Sequence, residues 1–248
     1  MQYFRCMAIG LSGITAAIAL RFVWKWMKRL ALYFILASLL GVFVFRFVPV
    51  PFTWLMVSRA ASAVATDESA GWKKDWVALE DISGNLQLAA VCSEDQRFIE
   101  HNGFDFEAIQ AAIEYNKTHE DKRGASTISQ QTAKNTFLWE GRSWLRKGME
   151  VWFTALIELF WSKERIMEVY LNIIEFGRGI YGAEAAARHY FKTSARKLTA
   201  AQSARLMSIV PSPLNWKIDG RISSRRTKHI LRQMQNYGRM LDYHPAKP

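Results

Sequence analysis

Two patterns of hydrophobic positions divide the chain. From Leu30 to Val50 it reads LALYFILASLLGVFVFRFVPV, apolar throughout except for Arg46, about the length a helix needs to cross a hydrocarbon core. A late Arg can snorkel to the headgroups. Beyond Pro51 the apolar positions recur at helical spacing. Leu86, Ala89, Ala90 and Cys92 support a helix ending near Glu94; Phe106, Ile109, Ala112 and Ile113 support another after the Asn102-Gly103 turn. The pattern continues through Trp144 to Trp161, Lys163 to Asn172, Ala183 to Tyr190 and Thr199 to Ile209, where Pro211 and Pro213 stop it. A basic helix from Arg221 to Gln235 closes the chain. No alternating run of strand length occurs, so the expected fold is mostly α.

Charge gives the apolar run a direction. Arg5, Arg21, Lys25, Lys28 and Arg29 precede or adjoin its start, and the first acid is Asp67. The positive-inside rule then puts the N-terminus in the cytoplasm and everything after Pro51 outside the inner membrane. A second apolar stretch, Met7 to Leu20, is short and rich in small residues and is not expected to span. Met7 and Met27 also qualify as chain starts, and either leaves the main run intact. The expected division is a basic cytoplasmic segment over 1–29, a single transmembrane helix over 30–50, a juxtamembrane segment over 51–84 with Phe52 and Trp54 at headgroup level, and a helical domain over 85–248. The aromatic helix beginning at Trp144 is expected to pack in the core, with the bilayer surface as its alternative. Cys6 and Cys92 fall on opposite sides of the anchor, so no disulfide is expected, and no metal-ligand spacing is present.

Overall, 33 Lys and Arg against 22 Asp and Glu give a net charge of +11, which points to a polyanionic partner. Against that background SEDQRFIEHNGFD, Ser93 to Asp105, concentrates Glu94, Asp95, Glu100, His101 and Asp105. GASTISQQTAKN, Gly124 to Asn135, starts a helix with Thr127 and Gln130 at capping-box spacing; such an end collects unpaired N–H groups and attracts phosphate, with Lys134 on the same element. In RSWLRKGME, Arg146 and Glu150 are four apart and Lys147 and Glu150 three apart, on one helix face. Each piece alone reads as a solvated turn, a cap or a surface salt bridge. Together, Lys134, Arg142, Arg146 and Lys147 bring enough positive charge for a diphosphate.

EDQRFIEHNG, GASTISQQTAKN, RKGME, KERIMEVYLN and YGAEAAARHYF, in that order, resemble the motif series of the peptidoglycan glycosyltransferases (glycosyltransferase family 51), and the anchor without a second domain resembles their monofunctional biosynthetic form. The resemblance spans about Pro49 to Gln235. It implies a lysozyme-like, mostly α glycosyltransferase domain that polymerises lipid II into β-1,4-linked glycan by inverting transfer, releasing undecaprenyl diphosphate. It implies Glu94 as general base and Glu150 as a second essential glutamate. Asp95, Phe98, His101, Ser126, Thr127, Gln130, Gln131, Lys134, Asn135, Arg142, Arg146 and Lys147 match substrate-site positions. A divalent cation, Mg or Mn, held by Glu150 or by the diphosphate is left open, and no other cofactor is implied. Implied partners are lipid II, the growing strand, inner-membrane lipids and wall-synthesis or cell-division proteins, with no nucleic acid. Glu94 at a helix C-terminus is expected to have a raised pKa. Two other readings compete: a lytic enzyme, which leaves the cation strip unexplained, and a non-catalytic membrane scaffold. Two departures from the family pattern stand out: Gln202 where relatives commonly carry Glu, and Lys192 one place earlier than the usual Tyr-Phe-x-Lys. The basic tail, Arg221 to Arg232, reads as a solvated helix beside anionic lipid.

Overall fold

The structure, a computed structural model, describes residues 2–65 and 71–237, with side chains from residue 20 onward. Two compact units divide at Val44 and Phe45. Helix α1, Gln2–Phe47, is continuous through the RFVWKWMKR segment, and its stretch Leu20–Phe47 is long and apolar enough to cross a membrane. The side chains of most of the second apolar stretch, Met7 to Leu20, and that of Cys6 lie outside the described residues. The helix stops at Phe47, three residues before the apolar run does, because Val48 and Val50 each precede a proline and are driven to extended backbone. Within the first unit Lys28 lies over Trp24 and Arg29 over Trp26, each 5.2 Å from the ring centroid, a placement that shelters the cations' stems along indole faces.

The second unit is built from α2 (Trp54–Ala65), β1 (Lys73–Lys74), α3 (Gly84–Glu94), α4 (Phe106–Thr118), α5 (Ile128–Phe137), α6 (Trp144–Phe160), α7 (Lys163–Ile173), β2 (Glu175–Gly177), β3 (Ile180–Tyr181), α8 (Ala183–Phe191), α9 (Ala200–Ile209) and α10 (Arg221–Tyr237). Helix α5 packs on α6 and α7, while α3, α9 and α10 form a second cluster. Leu86 of α3 and Ile128, Ile157, Ile166, Met167 and Leu171 of α5, α6 and α7 are fully buried. The mostly α expectation holds, with one correction. A small sheet of order β1-β3-β2 is present, β1 parallel and β2 antiparallel to β3. Strands of two or three residues are too short to display alternation, so the sequence pattern could not reveal them.

The aromatic helix does two things at once. Phe153, Leu156 and Ile157 of α6 are buried, whereas Trp144 is 93% and Leu145 70% exposed at its first turn. Of the departures noted above, Gln202 is explained by capping. Its Oε1 accepts from Thr199 N at 3.0 Å while its own N–H donates to Thr199 Oγ1, a box that Gln and Glu close equally well.

A buried side chain ties the segment after β1 to α7. Asn172 of α7, fully buried, accepts from Val77 N at 3.0 Å and donates to Val77 O at 2.9 Å and Glu168 O at 2.8 Å. It thus acts as a strand partner for a segment with no strand beside it. Gly182, at φ 84°, lies so close that a Cβ would come within 2.8 Å of Asn172 O, which explains glycine at the start of α8. Replacing Asn172 with Ala leaves both polar groups of Val77 without partners, at a cost of about 2–4 kcal/mol. The melting temperature of the Asn172→Ala chain is expected to fall by about 5–10 °C; a melting temperature equal to that of the unaltered chain would show that the clamp contributes nothing.

Candidate active site

The geometry starts from Asp95, the C-cap of α3. One carboxylate oxygen accepts from Ile128 N at 2.9 Å, and the other from His101 Nε2 at 2.8 Å. His101 Nδ1 accepts from Gly103 N at 3.1 Å, which assigns the ring proton to Nε2. Thr127 caps α5, closes the box with Gln130 and donates to Gly103 O at 2.7 Å. The expected capping box is therefore present, but the open anion site at this helix end is not. Its anion is the carboxylate of Asp95, and Thr127 and Gln130 are 2% and 5% exposed. The macrodipole that would draw a phosphate instead fastens α3 to α5.

That fastening sets the position of Glu94, one residue back. Gln131 Nε2 donates to Glu94 Oε2 at 3.2 Å, and an Arg226 guanidinium nitrogen of α10 stands 3.6 Å from Oε1. Oε1 itself is buried with no hydrogen-bond partner. Burial is the dominant cause of a carboxyl pKa raised above the ordinary value, with Gln131 and Arg226 opposing it. The sequence pointed to the helix end; the structure assigns the shift chiefly to desolvation. The other acids of the stretch have structural partners: Glu100 and Asp105 hold Arg97, at 2.8 and 3.7 Å, and Asp105 also caps α4. Glu94 lines a cavity of about 640 Å³ together with Asp95, Ser126, Thr127, Arg123 and Arg226.

Gln131 faces both ways. It also lines a neighbouring cavity of about 500 Å³, whose wall includes Lys134, Asn135, Arg142 and Arg146. Lys134 is three residues beyond Gln131, about 4.5 Å further along the α5 axis on the same side. Glu150, 4% exposed, accepts from Arg146 Nη1 at 2.8 Å and Lys147 Nζ at 2.6 Å. Burial is the largest influence on Lys134 and lowers its ammonium pKa; Glu150 opposes this, while Arg146 and Lys147 reinforce it. Both oxygens of Glu150 are occupied by cations, and among the described residues no three His, Cys, Asp or Glu side chains converge. The residues present therefore do not fit a Mg or Mn ion held by Glu150.

Ser126, Thr127, Asp95 and Glu94 thus share one cavity, and Gln131, Lys134, Asn135, Arg142 and Arg146 the other. Phe98 lies in the core with Lys163 Nζ 4.7 Å from its centroid, and His101 is held by Asp95; neither lines either cavity, and nor do Gln130, Glu150 and Lys147. Several wall residues escaped the sequence reading, Arg123 among them. Arg226 belongs to the helix read as a solvated tail; α10 instead packs on α3 and α9 with Ile230 buried. Its signal was present, since Arg226 stands four residues before Ile230 and shares that face. Arg59, Glu140 and Glu175 line the second cavity, with Arg59 3.5 and 3.7 Å from the two carboxylates. Burial raises the Glu175 carboxyl pKa, with Arg59 opposing.

The family model described as Transglycosylase matches residues 62–235. The chain is 55% identical over 195 residues to a protein of Bdellovibrio bacteriovorus named biosynthetic peptidoglycan transglycosylase, covering 79% of this chain and 78% of the relative. Proteins of the same name from Haemophilus influenzae and Bacteroides thetaiotaomicron are 51% and 47% identical, covering 86% and 90% of this chain and 90% and 88% of theirs. A match of this breadth, which takes in Glu94, Gln131, Lys134 and Glu150, means that the chain belongs to the transglycosylase family.

Proposed function

We propose that the protein polymerises lipid II into β-1,4-linked glycan strands, anchored by Leu20–Phe47 in the bacterial inner membrane with its helical domain in the periplasm. The observation that carries this reading is the line Glu94–Gln131–Lys134: a buried carboxylate one hydrogen bond from the helix whose next turn enters a cationic cavity. Glu94 accepts the proton of the acceptor sugar's 4-hydroxyl as that oxygen bonds to the donor's anomeric carbon. The bond from that carbon to the diphosphate breaks, and its electrons leave with undecaprenyl diphosphate. Attack opposite the leaving group turns the α-linked donor into a β-linked product. A carboxylate of raised pKa is a better base than an ordinary one near neutrality. Lys134, Arg142 and Arg146 stabilise the leaving diphosphate, with no metal step required of Glu150. Glu150 holds Arg146 and Lys147 in place, and its negative charge favours the ammonium form of Lys134 against the effect of burial.

Exposed Trp144 and Leu145, immediately before Arg146, support a domain that meets the bilayer where a lipid-linked substrate would lie. A lytic enzyme has no use for the cationic cavity. A scaffold has no use for a buried Glu94 with one carboxylate oxygen left unpartnered.

Glu94→Gln is expected to lower polymerisation of labelled lipid II by about 10³–10⁴-fold; full retention would remove Glu94 from the chemistry. The same change bears on stability. Because the folded pKa of Glu94 is raised, its ionisation disfavours the folded state progressively as pH climbs from the ordinary carboxylate value through the raised one. Glu94→Gln is therefore expected to melt higher than the unaltered chain at neutral pH, with the gain vanishing at acid pH where both side chains are neutral. Thermal scans at the two pH values check this, and a gain equal at both would assign it to packing. Arg226→Met removes a positive charge that favours the carboxylate, so the acidic limb of the rate profile is expected to move to higher pH. An unmoved limb would show that Arg226 does not act on Glu94. Lys134→Ala is expected to reduce the rate by about 10²–10³-fold, read as kcat at saturating lipid II, whereas an effect on KM alone would make Lys134 a simple binding residue.

A further inference from the structure

Away from both cavities lie two adjoining depressions that share Arg188 and Lys192, the first between α8 and β1 and the second between α8 and the turn that follows it. The first, about 360 Å³, is walled by Trp72, Lys73 and His189; the second, about 460 Å³, adds Lys197. Arg188 is paired with Glu184 at 2.7 Å, and Asp75 is the carboxylate on the wall. Lys73, Lys192 and Lys197 make no ion pair among the described residues. Their proximity is felt at His189, whose pKa is lowered by burial first and then by Lys73 and Lys192. Lys192 adds a second, independent observation. At φ 56° it is the non-glycine residue in the left-handed region among the described residues, ending α8 where glycine fits without strain. The left-handed turn is closed by Lys192 N–H to Arg188 O at 3.3 Å and Thr193 N–H to Ala187 O at 3.4 Å, a helix end that sets Lys192 where the two depressions meet.

The location indicates the ligand. Lys74, next to Lys73 in β1, donates to the carbonyls of Val50 and, at 3.1 Å, Pro51, residues that follow the end of the apolar helix at Phe47 within four positions. Trp72, 42% exposed, stands at the rim, as indoles do at headgroup level. We propose that this double depression binds the phosphate of an anionic phospholipid headgroup, with Lys73, Lys192 and Lys197 supplying the charge. The inference rests on the reading that Leu20–Phe47 spans a bilayer.

The test is amine footprinting of the full chain in nanodiscs of phosphatidylcholine, with or without phosphatidylglycerol, read by peptide mass. Recovery of the chain in both discs checks the anchor separately. Acylation of Lys73, Lys192 and Lys197 is expected to slow about fivefold with phosphatidylglycerol, while Lys117 on α4 is unchanged. In Lys192→Gly the protection of Lys73 and Lys197 is expected to be lost without a fall in melting temperature, since glycine relieves the left-handed position. Equal labelling in the two discs, or protection retained in Lys192→Gly, would overturn the proposal. So would protection in phosphatidylcholine discs by added inorganic phosphate or by glycan strands bearing peptide carboxylates, which would assign the depression to a soluble anion or to the wall polymer.

Discussion

The bond between the Asp95 carboxylate and the first backbone N–H of α5 is the constraint on which the candidate site depends. A helix end that lacks an anion leaves unpaired donors, and a buried carboxylate that lacks donors is costly; each removes the other's penalty. The consequence is positional. With α3 ending against the start of α5, residue 94 cannot avoid facing Gln131, and Gln131 stands one turn from Lys134. The carboxylate proposed as proton acceptor, at the end of α3, and the cationic cavity beside α5 are thereby held in register by two helices fastened end to end, the type of element on which reacting groups hold their geometry best.

The two glutamates differ because their surroundings differ. Glu150 is compensated by a guanidinium and an ammonium and acts as an organiser of charge. Glu94 is buried with one oxygen unpartnered and a single arginine beyond hydrogen-bond distance. Opposite environments for the two carboxylates accord with the opposite roles proposed for them, one basic and one structural. Burial disfavours the charged form of Glu94, and a carboxyl so placed beside a cavity suits the basic role proposed for it.

Most helices were legible because their apolar positions repeat at helical spacing, and the capping residue Thr127 marked the start of α5. The small sheet was not, since its pairing comes from distant segments with too few residues to alternate. Within the site, the sequence concentrated Glu94, Lys134, Arg146 and Glu150 in three short motifs. It could not show that Asp95 fills the helix end that seemed open to phosphate, because that partner comes from another element. Arg226, Arg59 and Glu175 were hidden for the same reason: each reaches its cavity through tertiary packing, and only Arg226 left a trace, on the buried face of an otherwise basic helix.

The most direct measurement of the central claim is a crystal structure of the full chain with a non-hydrolysable lipid-linked sugar diphosphate bound. The account predicts phosphate oxygens within hydrogen-bond distance of Lys134 and Arg146, and the anomeric carbon turned along α5 toward Glu94. A diphosphate seated elsewhere, or an anomeric carbon pointing away from Glu94 across the cavity, would contradict it.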